Sequence, residues 1–333
     1  MKRINLAHGD GGELTQQLIH DVFVKEFGHE QHAVMDAAAV SLNCQDISVS
    51  TDSFVVNPLF FPGGNIGKLA VSGTVNDLAV SGAVPKFLTV SFIIEEGFLI
   101  SDLKMIVGAM AEEAKKADVQ IVSGDTKVVE KNSADGLYIN TTGIGMLSNK
   151  QCVNPNTIQE GDVIIVSGSI GDHGIAILAA RNELGLITNI QSDCASLNHM
   201  TNAVFNAAHS VRIMRDPTRG GLATTLVEIC EDFQVTMEIE ESALPIHHEV
   251  RGACDILGFE PLYLANEGKI IMICAKEEEH MILDILRNFH EGQEAQVIGY
   301  VTKKEKGQLL LKTPLGSTRR LNRLSGMMLP RIC

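Results

Sequence analysis

Glycine turns, most of them carrying an aspartate, recur along this chain wherever one hydrophobic periodicity gives way to another. They are His8-Gly9-Asp10-Gly11-Gly12, Pro62-Gly63-Gly64-Asn65, Ser123-Gly124-Asp125-Thr126-Lys127, Gly168-Ser169-Ile170-Gly171-Asp172-His173-Gly174 and Asp216-Pro217-Thr218-Arg219-Gly220-Gly221. Strand-like and helix-like runs mixed in this way point to an α+β chain, with sheets flanked by helices. Glycines ahead of a helix leave backbone N–H groups open to an anion. An aspartate beside them supplies the hard oxygen that a divalent cation prefers. Most glycine turns only turn the chain, so each site keeps a structural reading beside the functional one. The loop at Gly168 lacks the Gly-Lys-Ser/Thr ending of a P-loop and a convincing dinucleotide fingerprint, so neither of those nucleotide folds is indicated.

Leu14, Leu18 and Val22 mark a helix from Glu13 to about Phe27. Asp46 to Val56 reads as a strand broken at Thr51-Asp52-Ser53, where the carboxylate either binds a cation or caps a turn. A loop through Pro62 then enters a helix over residues 66–81 that contains Gly67 and Gly73. Glycine costs about 1 kcal/mol in a helix interior, so another backbone or a ligand is expected to come close. Asp77 lies in that helix among Val75, Leu78, Ala79 and Val80 and needs a partner, a basic side chain or a metal. Residues 86–94 read as strand, 101–117 as a helix capped by Ser101, and 119–122 as a strand entering Gly124-Asp125-Thr126-Lys127. In that motif Asp suits magnesium, Thr a phosphate, and Lys an oxyanion or a proton. A long alternating strand follows over 137–147. Asp52, Asp77 and Asp125 are expected to converge around Mg²⁺ and ATP.

Residues 152–161 read as a connector, which divides the chain into domains at 1–150 and 151–318 with a mobile tail at 319–333. The second half restarts with a strand at 162–167, the Gly168 loop and an Ala-rich helix to about Leu184. Arg215 and Arg219 serve phosphates or hold carboxylates. For Glu267, beside Gly268, the residues alone favour an exposed turn acid over a working base. Strands near 296–303 and 307–313 lead to a basic end with Lys303, Lys304, Lys306, Lys312, Arg319, Arg320, Arg323 and Arg331. These bases either protect a hairpin edge from aggregation or form an arm drawn to a bound triphosphate.

A net charge of −14 excludes wrapping of DNA or RNA, and the apolar runs are too short to span a bilayer. No signal-like core follows Met1, so the cytoplasm is the expected compartment. Of the cysteines at 44, 152, 194, 230, 254, 274 and 333, none forms a C-x-x-C pair, so zinc and iron–sulfur sites lack support. The first six read as small buried hydrophobes. Cys333 stands outside any element that buries it, and its thiol is either a mobile arm or a frayed end.

Taken together, His8-Gly9-Asp10-Gly11-Gly12, Phe61-Pro62-Gly63-Gly64-Asn65-Ile66-Gly67, Gly73-Thr74-Val75-Asn76-Asp77-Leu78-Ala79, Gly124-Asp125-Thr126-Lys127-Val128-Val129, Asp216-Pro217-Thr218-Arg219-Gly220-Gly221, Ala265-Asn266-Glu267-Gly268-Lys269 and the terminal Pro330-Arg331-Ile332-Cys333 closely resemble the HypE family of hydrogenase maturation factors, the carbamoyl dehydratases. The resemblance covers essentially the whole chain; its terminal motif is specific to the family, while the glycine-aspartate motifs are shared with relatives. It implies two α+β domains like those of aminoimidazole ribonucleotide synthetase, a nucleotide site on the first, and a homodimer made by pairing first-domain sheets. It further implies that Cys333 receives a carbamoyl group from a HypF-like carbamoyltransferase. ATP then dehydrates that group to a thiocyanate, the source of cyanide for the iron of [NiFe] hydrogenases through a HypC–HypD scaffold. By the same resemblance Gly11, Gly12, Gly63, Gly64 and Thr126 bind the nucleotide, Asp52, Asp77 and Asp125 hold Mg²⁺, and Lys127 and Glu267 orient the thiocarbamate and accept its protons. Two rival readings are a related ATP enzyme of the same fold, such as selenophosphate synthetase or thiamine-monophosphate kinase, and a non-catalytic thiol carrier.

Overall fold

A computed structural model describes residues 3–8, 13–28, 40–43, 46–147, 153–181, 185, 188–324 and 331–333. Gly11, Gly12, Cys44, Cys152 and Pro330 lie outside the described residues. The first sheet is built from β1 (Asp46–Phe54), β2 (Ala83–Glu95), β3 (Gln120–Val129) and β4 (Leu137–Leu147), in the order β1-β4-β2-β3. Only β2 and β3 run parallel, joined by the crossover helix α2 (Ile100–Lys116); the other neighbours are antiparallel. Helix α1 (Ile66–Val80) and α2 cover one face, against Leu88, Val90, Phe92 and Ile94 of β2 and Leu137 and Ile139 of β4. Ile47 and Val49 of β1 and Ile93 of β2 alternate to the other face and are at least two-fifths exposed, at 50%, 58% and 43%.

The second sheet takes β5 (Val163–Val166), β6 (Val211–Arg215), β7 (Thr236–Glu240), β8 (Ile271–Cys274), β9 (Gln296–Lys303), β10 (Gln308–Lys312) and β11 (Thr318–Leu321), ordered β11-β10-β7-β9-β5-β8-β6. β5 and β8 are buried along their whole lengths, as their unbroken apolar sequences require. Around them lie α3 (Asp172–Arg181), α4 (Asn198–Ala207), α5 (Gly221–Phe233), α6 (His248–Leu257) and α7 (Glu279–Arg287). The two halves share a core: Ile177, Cys194, Ala265 and Ile332 pack with the first-domain apolar residues. Asn76 stitches the seam, donating to Ala195 O at 3.0 Å and Glu267 O at 3.3 Å while its Oδ1 accepts from Leu197 N at 2.8 Å.

Several expectations need correction. Helix α2 starts at Ile100 with Leu99 as its N-cap, and Ser101 instead donates to Asp102 Oδ1 at 3.1 Å. The tail does not begin at 319, because residues 318–321 pair with β10 as the last strand. The bases there favour the hairpin reading: Arg319 meets Glu260 at 2.6 Å, Arg323 meets Glu231 at 2.7 Å, and Lys312 meets Glu240 at 3.5 Å. Strands β6 and β7 went unread because each is a five-residue run with charged residues inside it.

Gly67 shows what a glycine inside α1 is for. A Cβ there would lie 2.3 Å from Ile106 O and 2.8 Å from Met110 Cγ, so α1 and α2 touch backbone to backbone. Gly67→Ala is expected to lower unfolding stability by about 2 kcal/mol or more, since rigid backbone faces the new methyl. The urea midpoint measures this, and an unchanged midpoint would contradict so tight a crossing.

Candidate active site

The end of the chain is docked. Val55 N donates to Cys333 O and Asn57 N to Arg331 O, both at 3.1 Å, so residues 331–333 run antiparallel to the segment leaving β1. Ile332 is 2% exposed and belongs to the shared core. His173, in the first turn of α3, donates from Nε2 to Ile332 O at 2.8 Å. Its Nδ1 lies 2.7 Å from Ser192 Oγ and takes the hydroxyl proton, and burial lowers the ring's pKa, so it stays neutral. Arg181 donates to Arg331 O at 2.9 Å and Asn57 O at 2.9 Å. Arg331 bonds Val55 O at 2.9 Å, pairs with Asp135, and lies over the Tyr138 ring at 5.8 Å. Cys333 is therefore half-buried, which corrects the expectation that nothing shelters it.

The thiol is pushed up to about 12 by burial and by Glu267, with Arg219 opposing. Arg219 Nη2 stands 3.7 Å from Sγ. Behind the thiol the chain gathers acids from both domains. Asp52 lies near the end of β1 on the face toward α1, and Asp77 in the last turn of α1 accepts from Ser50 Oγ at 2.6 Å. Asp52 still meets solvent, yet desolvation and the charge of Asp77 raise its pKa; desolvation likewise raises Asp77. Asp216, in the loop before α5, is pushed up to about 7 by burial, Asp77 and Asp52.

Glu267 is 3% exposed, which overturns the reading of an exposed turn acid. Burial, followed by Asp193, Asp216, Asp52 and Asp77, drives its pKa well above the ordinary glutamate value. Its Oε1 has no hydrogen-bond partner, while its backbone N–H donates to Asp193 Oδ1 at 3.0 Å. Gly268 makes that approach feasible, because a Cβ there would sit 1.8 Å from Asp193 O.

Not every expected residue joins this group. Asp125 and Lys127 bind each other at 2.9 Å, both about two-thirds exposed, on the edge strand β3. Their register with Ser91 and Ile93 puts them on the bare face of the sheet. They stand three strand spacings, about 14 Å, from β1. Thr126 alternates to the opposite face. Gly63 and Gly64 serve packing: a Cβ on Gly63 would meet Ser192 O at 2.7 Å, and Asn65 fills the α1 N-terminus by accepting from Gly67 N and Lys68 N.

Residues 34–147 match the family described as AIR synthase related protein, N-terminal domain, and residues 159–312 match its C-terminal domain counterpart. The carbamoyl dehydratase HypE of Rhodobacter capsulatus is 45% identical over 335 residues, covering 100% of this chain and 98% of that protein. This chain belongs to the HypE carbamoyl dehydratase family. A crystal structure of HypE in complex with ATP superposes with a TM-score of 0.94 at 42% identity, covering 98% of this chain and 99% of that one. HypE in a HypE–HypF complex gives a TM-score of 0.81 at 43% identity, covering 94% and 100%. No helix among the described residues is long and apolar enough to cross a membrane.

Set against HypE family membership, the residues that sequence reasoning missed are Asp193, His173 and Arg181. His173 stands in a motif singled out for phosphate, and it grips a carbonyl instead. Asp193 lies in Gln191-Ser192-Asp193-Cys194, which carries no periodicity and so gave no signal. For Mg²⁺, no three acidic or other ligating side chains among the described residues are poised around one point. Asp52 and Asp77 nevertheless fit the ion, which takes one or two carboxylates and completes its shell from phosphate and water. Burial raises the pKa of both, and the charge of Asp77 adds to the shift at Asp52, so a cation between them would favour their ionised forms.

Docking has a chemical readout at Cys333. Held protonated by its surroundings, the thiol should react with iodoacetamide at pH 8 well below the rate of a free cysteine, and speed up as pH rises. His173→Ala removes one clamp and is expected to raise labelling of the C-terminal peptide at pH 8 by about tenfold, as the thiol returns toward its ordinary pKa. Wild-type labelling as fast as that of a free thiol would refute the docked arrangement.

Proposed function

We propose that this protein dehydrates a carbamoyl group carried on Cys333, with ATP as the co-substrate, in the assembly of [NiFe] hydrogenase. The observation that carries the reading is the docked terminal thiol between Arg219 and the buried, unpartnered Glu267, with Asp52 and Asp77 alongside. A bare phosphotransferase of this fold has no need of such an end. A thiolate carrier of metal needs clustered ligands, whereas the buried Cys194, Cys230, Cys254 and Cys274 are scattered and pushed up by desolvation.

The chemistry follows from the weakness of an amide oxygen as leaving group. Attack of the carbamoyl oxygen on the γ-phosphorus of ATP, with loss of one N–H proton, gives S–C(OPO₃)=NH and ADP. Cleavage of the C–O bond with loss of the second N–H proton gives S–C≡N and phosphate. Atoms balance: the oxygen of the amide leaves in the phosphate. Mg²⁺ held by Asp52 and Asp77 would neutralise charge on the transferring phosphoryl group. Glu267 accepts protons from nitrogen, its elevated basicity suiting it to a weak acid. Arg219 beside Sγ steers the thiocarbamate oxygen toward the phosphate. The seam closed by Asn76 and Ile332 keeps water from the activated carbon.

Residues 331–333 must leave this dock for a HypF-like carbamoyltransferase to load the thiol, and again to pass cyanide to a HypC–HypD scaffold, in the cytoplasm. Asp125 and Lys127 enter the site from a second copy of the chain. The bare sheet face supports a homodimer, since Ile47, Val49 and Ile93 are exposed on it among the described residues. Lys127 then reaches the thiocarbamate of its partner.

Cys333→Ala should bind ATP and yield no modified C-terminal peptide in intact-mass analysis after HypF, carbamoyl phosphate and ATP; a mutant that still forms cyanide ends the reading. Loss of one water from the wild-type peptide on fresh ATP is the expected signature. Lys127→Ala and Cys333→Ala are each expected to be inactive as homodimers and to regain activity when mixed, because the mixed dimer holds one complete site. No recovery in a verified mixed dimer places Lys127 in its own chain's site or outside the reaction.

A further inference from the structure

We infer that Asp193 and Lys269 form a proton exit leading from Glu267 to the cleft between the two domains. The inference rests on the reaction proposed above, in which two protons leave one nitrogen in succession. A single carboxylate accepts the first and is then spent until that proton moves on. On the side of Cys333 the docked chain end and the nucleotide would close the site, so the discharge needs another direction.

The structure supplies one. Glu267 lies behind the cleft wall, whereas Asp193 and Lys269 line a cleft of 480 Å³ together with Asp172, His247 and Glu294. Asp193 is held to Glu267 by the backbone bond at 3.0 Å, and it is the charged neighbour that most raises the Glu267 pKa. Its Oδ2 is buried with no hydrogen-bond partner. Lys269 Nζ approaches that oxygen at 3.6 Å, an ion pair too long for a direct hydrogen bond, and donates instead to Gly268 O at 3.2 Å. Oδ2 therefore keeps a lone pair free to take a proton, and Lys269 offsets the charge when that proton departs. Across the cleft, half-exposed His247 bonds Asp172 at 2.9 Å and Glu294 at 3.3 Å, a group able to hand protons to solvent. The neighbouring alternatives are closed. His173 has both ring nitrogens engaged, by Ser192 and by Ile332 O. Cys194 is pinned to Ser72 Oγ at 3.1 Å, and burial holds its proton in place.

The test is single-turnover dehydration of carbamoyl-loaded protein on addition of Mg²⁺ and ATP. Asp193→Asn keeps an acceptor for the Glu267 N–H but cannot carry a proton, and should slow the step by about tenfold to a hundredfold with ATP affinity and carbamoyl loading unchanged. Formate, small enough to enter the cleft, should restore the rate in Asp193→Ala, which a purely structural role would not allow. Wild-type rates in Asp193→Asn, or a loss that formate leaves untouched in Asp193→Ala, overturn the exit. If neither variant folds, Lys269→Met is read the same way: slowed turnover at normal loading supports the route and an unchanged rate refutes it. A wild-type protein that binds ATP and never forms the nitrile would instead refute the reaction itself.

Discussion

Burial of Ile332 is the contact on which the arrangement depends. Cys333 is only half-buried, so its position is inherited from its neighbour. An isoleucine side chain removed from water contributes about 1.5–3 kcal/mol. Each hydrogen bond to this segment, from the backbone N–H groups of Val55 and Asn57 and from the side chains of His173 and Arg181, adds about 1 kcal/mol. Ordering three residues costs about 1–2 kcal/mol apiece in backbone freedom, with side-chain entropy on top. These opposing amounts are similar in size, which is the condition for an end that docks firmly enough to react and still lets go.

The second constraint is the crowding of like charge. Asp52, Asp77, Asp216 and Glu267 come from β1, α1 and two separate loops of the other domain. No element could place all of them alone. They are brought together because Asn76 and the shared apolar core fix the two halves in one orientation. Burial raises the pKa of every member, and neighbouring acids add to the shift at Asp52, Asp216 and Glu267. An assembly of that kind has stored affinity for cations, and the triphosphate of a nucleotide brings one.

Much of the fold was legible. The long alternating strand at 137–147, the apolar run at 163–166, and the helix patterns after glycine turns announced themselves through period and punctuation. The site was legible only in pieces. Asp77 declared itself as a charge in an apolar helix, whereas Glu267 gave the opposite impression because its turn looks like any surface turn. What hid its burial is a contact with Asp193, distant in sequence and visible only once Gly268 lets two backbones meet. Asp125 reads as a neighbour of Asp52 because each interrupts an apolar strand pattern, yet β1 and β3 run unbroken through them, and register with the period of two puts Asp125 and Lys127 on the far face.

The grip of His173 and Arg181 is on main-chain carbonyls at 332 and 331, not on sulfur. A clamp that reads peptide groups is blind to the freight beyond it. Bare thiol, carbamate and thiocyanate would be held alike, so the order of loading, conversion and delivery has to be imposed by whatever molecule waits outside, not by the anchorage.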